Sequence, residues 1–224
     1  MTRICQTTAS GCKLSAEELD PAERYLLLLL YAPGPNGERA EPVRGELWLQ
    51  KEMYLVSRSV EPLLEEFEPY RLGPFSEAVE EYESQLEASH YIDVSPRGIK
   101  LTSKGENMAE DTWRQANEKE RTLVSGVKSL LNDLSRDELL VLIYSTFEET
   151  TVNSDIRRDI EAKRKEVAVN LFRRRKISLQ RAARIAKISV PQFAKLLMAR
   201  NIAAVEVSSE EVREEFLSVL SGSD

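Results

Sequence analysis

Residues 177–197 read ISLQRAARIAKISVPQFAKLL, and this stretch decides how the carboxy-terminal third folds. Ser178 is placed to cap a short helix, and Ala182, Ala183 and Ala186 give that helix a face of small residues. Two helices that cross almost backbone to backbone require such a face. Ile188 fills the space under the turn. Ser189 caps a second helix, and Pro191 falls in its first turn, where a missing N–H costs little. Phe193, Leu196 and Leu197 face the core, which leaves Gln192 and Lys195 outward, flanked by Ser189 and Arg200. The pattern predicts a helix-turn-helix. In that motif's docking mode the outer face of the second helix enters the major groove. Gln can then pair with adenine and Lys with guanine, while Arg173, Arg174, Arg175, Lys176, Arg181 and Arg184 are candidate phosphate contacts. One position departs from the pattern: Lys187 stands where the turn usually has glycine, and a left-handed residue there costs ~1 kcal/mol.

Working outward, the charge around this motif is segregated. The 224-residue chain carries a net charge of −7. Residues 157–200 hold 14 Lys and Arg against three Asp and Glu, whereas the residues on either side are acidic. A basic block in an acidic chain points to a polyanionic partner or to an acidic protein surface, the chain's own amino-terminal part included. The composition is 42% hydrophobic and 31% charged with nine glycines and nine prolines, which favours a helical protein over a loop-rich or all-β one.

The remainder reads as a run of helices interrupted once. Residues 1–16 form an expected tail. A helix is expected over Ser15–Ala32, with Ser15 and Glu18 as a capping box, and another over Glu46–Val56. A short third helix holds Val60, Leu63, Leu64 and Phe67, and a fourth is capped by Ser76 and runs to Ser89. Tyr91–Val94 and Ile99–Thr102, around Ser95-Pro96-Arg97-Gly98, read as a β-hairpin. A helix opens at Thr102 and continues to Leu134. Ser135 caps the next, residues 146–155 turn, and Ser154 is placed to cap a helix over Asp155–Lys176. Helix, hairpin and helix are the parts of a winged helix, with Arg97 and Lys100 on the wing as phosphate contacts. The same hairpin also serves if it only covers a core.

Several classes are set aside. The longest apolar run, Tyr25–Ala32, is too short to cross a membrane, and its acidic flank is unlike a signal peptide, so the cytoplasm is expected. His90 is the one histidine, and no phosphate-binding, dinucleotide-binding or nucleophile-elbow motif occurs. Cys5 and Cys12 lack metal-site spacing. A non-enzymatic protein with no metal and no cofactor is therefore expected.

Two families are resembled. Leu49-Gln50-Lys51, Tyr70-Arg71-Leu72-Gly73-Pro74-Phe75-Ser76, Leu101-Thr102-Ser103-Lys104-Gly105, and Ile143-Tyr144 with Ser154-Asp155-Ile156 make residues 17–158 resemble the Panacea (pan-antitoxin) and YwgA-like group of prokaryotic proteins. Val167–Ile202, with Ser209–Leu220 as a closing helix, makes residues 165–220 resemble a short uncharacterised prokaryotic family with antitoxin-like members. The resemblances imply a regulator or antitoxin. The expectation is thus a mainly α protein: an acidic winged-helix-like domain at 17–158 and a basic helix-turn-helix domain at 159–224. It would bind double-stranded DNA as a homodimer. The rival is a module that binds a protein such as a toxin without reading DNA.

Overall fold

A computed structural model describes residues 19–60, 63 and 67–202. The chain is mainly helical: α1 (Pro21–Tyr31), α2 (Glu46–Ser57), α3 (Glu77–Ala88), α4 (Ser103–Gln115), α5 (Glu118–Leu131), α6 (Arg136–Thr146), a 3-10 turn (Glu148–Thr151), α7 (Arg157–Arg173), α8 (Leu179–Ile185) and α9 (Val190–Ala199). Two antiparallel pairs complete it, β1 (Glu68–Tyr70) with β2 (Gly73–Phe75), and β3 (Ile92–Ser95) with β4 (Gly98–Leu101). Among the described residues no helix is long and apolar enough to cross a membrane.

Helix α1 is apolar on every side, from Tyr25 to Ala32, so it must be covered on every side. It packs against α2, α3, α4 and α5. Its start differs from the expected one. Asp20 accepts from Ala22 N at 3.0 Å and Pro21 takes the first helical position, a combination that fixes the entry of the chain. Ser15 and Glu18 lie outside the described residues, as do Cys5, Cys12 and most of the expected short third helix, of which Leu63 is described as buried and helical.

The single helix expected from Thr102 to Leu134 is two. Asn117 interrupts it by capping α5 in a reciprocal box with Glu120. That arrangement satisfies two orphan donors and makes a new start cheaper than continuation. Glu120 is also ion-paired to Arg24 and accepts from Tyr25 Oη at 3.1 Å, which ties α5 to α1. Ser154 likewise does not cap α7. That helix starts at Arg157 after an uncapped Ile156, and Ser154 Oγ is engaged by Tyr144 Oη. The hairpin β1–β2 was not expected at all. In contrast β3–β4 has the predicted place, and Ile99 exchanges backbone hydrogen bonds with Val43 at 2.7 and 2.9 Å, which adds one bridge to its edge.

Polar groups are sealed in where α1, α2 and α5 meet. Lys128 is fully buried and donates to the carbonyls of Leu30 (2.8 Å) and Ala32 (3.0 Å), at the C-terminal end of α1. Burial lowers its ammonium to about 8. Glu52 is fully buried, and neither carboxyl oxygen has a hydrogen-bond partner among the described residues. Burial holds it well above the ordinary carboxylate value, with Lys128 pulling the other way.

Glu52→Met removes a buried carboxyl with no hydrogen-bond partner among the described residues while Lys128 keeps both its carbonyl acceptors, so it is expected to stabilise the protein at pH 7.5 by about 1–3 kcal/mol. The folded state holds the Glu52 proton more tightly than the unfolded state, so the wild-type chain loses stability as pH rises above 4.5. The advantage of the variant should therefore shrink towards pH 4.5, as urea denaturation at the two pH values would measure.

Candidate nucleic-acid interface

Helices α8 and α9 form the expected pair. Ser178 Oγ accepts from Arg181 N at 3.2 Å, and Ala182, Ala183 and Ala186 are buried. Phe193 and Leu197 are fully buried, and Phe193 meets Phe172 of α7 edge to face, with centroids 6.1 Å apart. The turn closes as a Schellman motif, Ile188 N to Ala183 O (3.1 Å) and Lys187 N to Arg184 O (3.0 Å). Lys187 is left-handed there, at φ 52°. Its ammonium reaches Glu161 of α7 (3.2 Å) and Glu148 of the 3-10 turn (3.4 Å), contacts that a glycine would not make.

The outer face of α9 carries Pro191, Gln192, Lys195, Met198 and Ala199, all exposed, and Met198 is 68% exposed. Gln192 is already engaged at its amide oxygen, which accepts from Ser189 N at 3.0 Å while Ser189 Oγ accepts from Gln192 N. In this capping box the side-chain amide keeps its NH2 donors outward but has little acceptor capacity left. A bidentate pairing with adenine therefore requires the box to open.

Around α8 and α9 the basic block divides into two sets, while Arg158 and Lys165 of α7 are exposed with no ion pair among the described residues. Arg174 binds Glu138 (2.7 Å) and Asp133 (2.8 Å), and Lys176 is ion-paired to Asp133. Lys163 binds Asp137 at 2.8 Å, and Arg200 binds Glu166 at 2.7 Å. Arg181 donates to Thr146 Oγ1. These cations are held against α6, its flanking turns and α7. Arg173, Arg175, Arg184 and Lys195 are exposed, and no ion pair engages them among the described residues. Asp133, Asp137 and Glu138 are the residues that the sequence reading left without a role. Asp137 and Glu138 are visible as first-turn acids behind Ser135, but their partners lie 26 and 36 positions away.

Arg97 and Lys100 are on the other hairpin, exposed. Lys100 is paired across the strands with Asp93 at 3.3 Å. They follow α3, whose exposed positions include Glu77, Glu80, Glu81 and Glu87.

The model of an uncharacterised protein family, UPF0175, matches residues 150–219. The match takes in α7, α8 and α9, and the chain is similar to that family over this segment. It begins upstream of residue 165 and, of the residues that carry the resemblance to the Panacea group, takes in Ser154, Asp155 and Ile156 alone. No curated protein and no solved structure matches the chain.

The strain at Lys187 is testable. Lys187→Val puts a β-branched side chain at positive φ and removes two exposed ion pairs, so it should destabilise the chain by about 1–3 kcal/mol. Lys187→Gly relieves the left-handed strain while losing the same ion pairs, and should change stability by less than about 1 kcal/mol. Thermal denaturation of the two variants side by side reads the difference.

Proposed function

We propose that this protein is a DNA-binding transcriptional regulator of antitoxin type that reads a duplex with α9. The observation that carries the reading is the exposed face of α9 on a tightly packed bihelical unit, with Arg173, Arg175, Arg184 and Lys195 open around it. In a helix-turn-helix, Lys195 meets base edges and the arginines take phosphates. Arg174 and Lys176 hold the unit to the body of the protein, and Arg200 is tied to Glu166, so none of the three is assigned to phosphate. The order α1, the Val43 bridge, α2, α3 and β3–β4 is compatible with a winged helix. An α3 lined with Glu77, Glu80, Glu81 and Glu87 is electrostatically unsuited to a duplex, so this reading confines DNA contact to the carboxy-terminal unit. The regulator acts as a homodimer in the cytoplasm, since such units read paired half-sites.

A second reading, a protein-binding antitoxin or adaptor, is favoured by the near-neutral face of α9, where Met198, Pro191 and Ala199 outnumber the single cation Lys195. In that reading a toxin or other protein covers α9.

The two separate on salt. With four open cations placed around α9 in each subunit, log Kd against log salt is expected to have a slope of about 3–4 per subunit. Arg184→Glu with Lys195→Glu should weaken duplex binding sharply and flatten that slope, as a gel-shift series at several salt concentrations would read. Unchanged affinity in the double variant defeats the DNA reading. Co-purification with a stoichiometric protein, without salt-dependent duplex binding, supports the second.

A further inference from the structure

Two of the stretches that carry the Panacea-like resemblance, Leu49–Lys51 and Tyr70–Ser76, meet in space. Gln50 and Lys51 of α2 face the β1–β2 hairpin, and two hydrogen bonds lock Gln50 to Ser76, the residue that follows β2 and caps α3. Its Nε2 donates to Ser76 O and its Oε1 accepts from Ser76 N, both at 3.0 Å. Between helix and hairpin lies a cleft of about 220 Å³, lined by Leu47, Lys51, Tyr70, Arg71, Leu72 and Phe75, with Glu46 at its edge.

Lys51 is the unusual group. It is 2% exposed, and its ammonium has one acceptor among the described residues, Pro74 O at 2.7 Å. A lysine ammonium has three donors, so two are left without a protein acceptor beside apolar walls. Arg71, exposed, adds a second cation at the cleft and stacks over the Tyr70 ring, 5.8 Å from its centroid. Burial pushes the Lys51 ammonium down to about 7, even though the Glu46 carboxylate raises it. The fold thus holds a buried amine that takes up its proton near pH 7, and an anion in the cleft favours its charged form.

We propose that the cleft between α2 and the β1–β2 hairpin is a binding site for a small organic monocarboxylate, whose carboxylate takes the free donors of Lys51 while Leu47, Leu72 and Phe75 enclose its hydrocarbon body. The volume is below the roughly 300–1,000 Å³ of sites for drug-sized ligands, which limits the occupant to a single ring or a short chain. Glu46 disfavours a second negative charge, and a phosphate has no hydrocarbon body to bury against the apolar walls, so a monocarboxylate is preferred over a phosphate or dicarboxylate. None of these residues belongs to α8 or α9, so the site stands or falls independently of DNA binding.

The test uses the full chain with benzoate as probe, benzamide as its neutral isostere and inorganic phosphate as competitor, read by ligand-observed NMR titration. Benzoate should bind saturably with a millimolar Kd, and benzamide about ten-fold more weakly or worse. Phosphate should not displace benzoate. Lys51→Met should lose about ten-fold or more in benzoate affinity with the helical circular dichroism unchanged. Leu72→Trp, at a partly exposed wall, should abolish binding by filling the cleft, and it serves equally if the Lys51 variant does not fold. Equal binding of benzoate and benzamide, displacement by phosphate, no saturable benzoate binding, or full affinity in Leu72→Trp would each overturn the assignment.

Discussion

Helix α6 has no polar face along Leu139–Tyr144, and the structure is organised by the need to cover it. The 3-10 turn, β2, α7 and α8 all pack on it. The buried apolar cluster runs without interruption from Ala22 to Leu197, and the expected boundary at residues 158 and 159 falls in the first turn of α7. Lifting α7–α9 away would expose one side of a helix that has only apolar sides. Their orientation towards the rest of the chain is therefore set by hydrophobic burial, with Arg164 of α7 reaching Tyr144 O as a polar stitch.

Electrostatics refines that placement. The cap of α6 concentrates Asp133, Asp137 and Glu138 at a helix N-terminus, where negative charge is favoured. The same carboxylates meet Arg174, Lys176 and Lys163. Glu138 serves twice, in the capping box with Ser135 and in the ion pair with Arg174, and these contacts hold its carboxyl below its ordinary value against the opposing effect of burial. An acidic chain thereby neutralises part of its own basic block and leaves a smaller set of cations free. The free cations beside α9 are Arg173, Arg175, Arg184 and Lys195, with Arg158 and Lys165 also open on α7, a weaker field than the raw count of lysines and arginines suggests.

The two candidate sites are joined by one continuous series of contacts. The β1–β2 hairpin that walls the cleft packs on the 3-10 turn, and Asn153 Nδ2 donates to Pro69 O at 3.2 Å. Glu148 of that turn reaches Arg164 and Lys187, and Lys187 is the left-handed residue between α8 and α9. The cleft and the bihelical turn thus border the same short segment.

Local chemistry sufficed for the elements whose start and stop signals lie within a few residues. Ser178, Ser189 and Ser135 cap as read, Ala182 and Ala183 are buried, and Lys187 is left-handed where the turn required it. Asn117 with Glu120 was equally legible as a helix start, but the helical character on both sides of it concealed the break. His90, Arg175 and Asn201 also end helices in left-handed conformations, and of the three Arg175 lacks a side chain of the types enriched there. Tertiary structure alone decided which cations of the basic block are free, because ion-pair partners such as Asp133 and Arg174 stand 41 positions apart. It alone also turned Lys51 from one more charged residue of α2 into a buried ammonium under a hairpin. Capping and periodicity act within one or two turns of chain and can be read from it, whereas burial and charge pairing depend on which distant segments the core brings together.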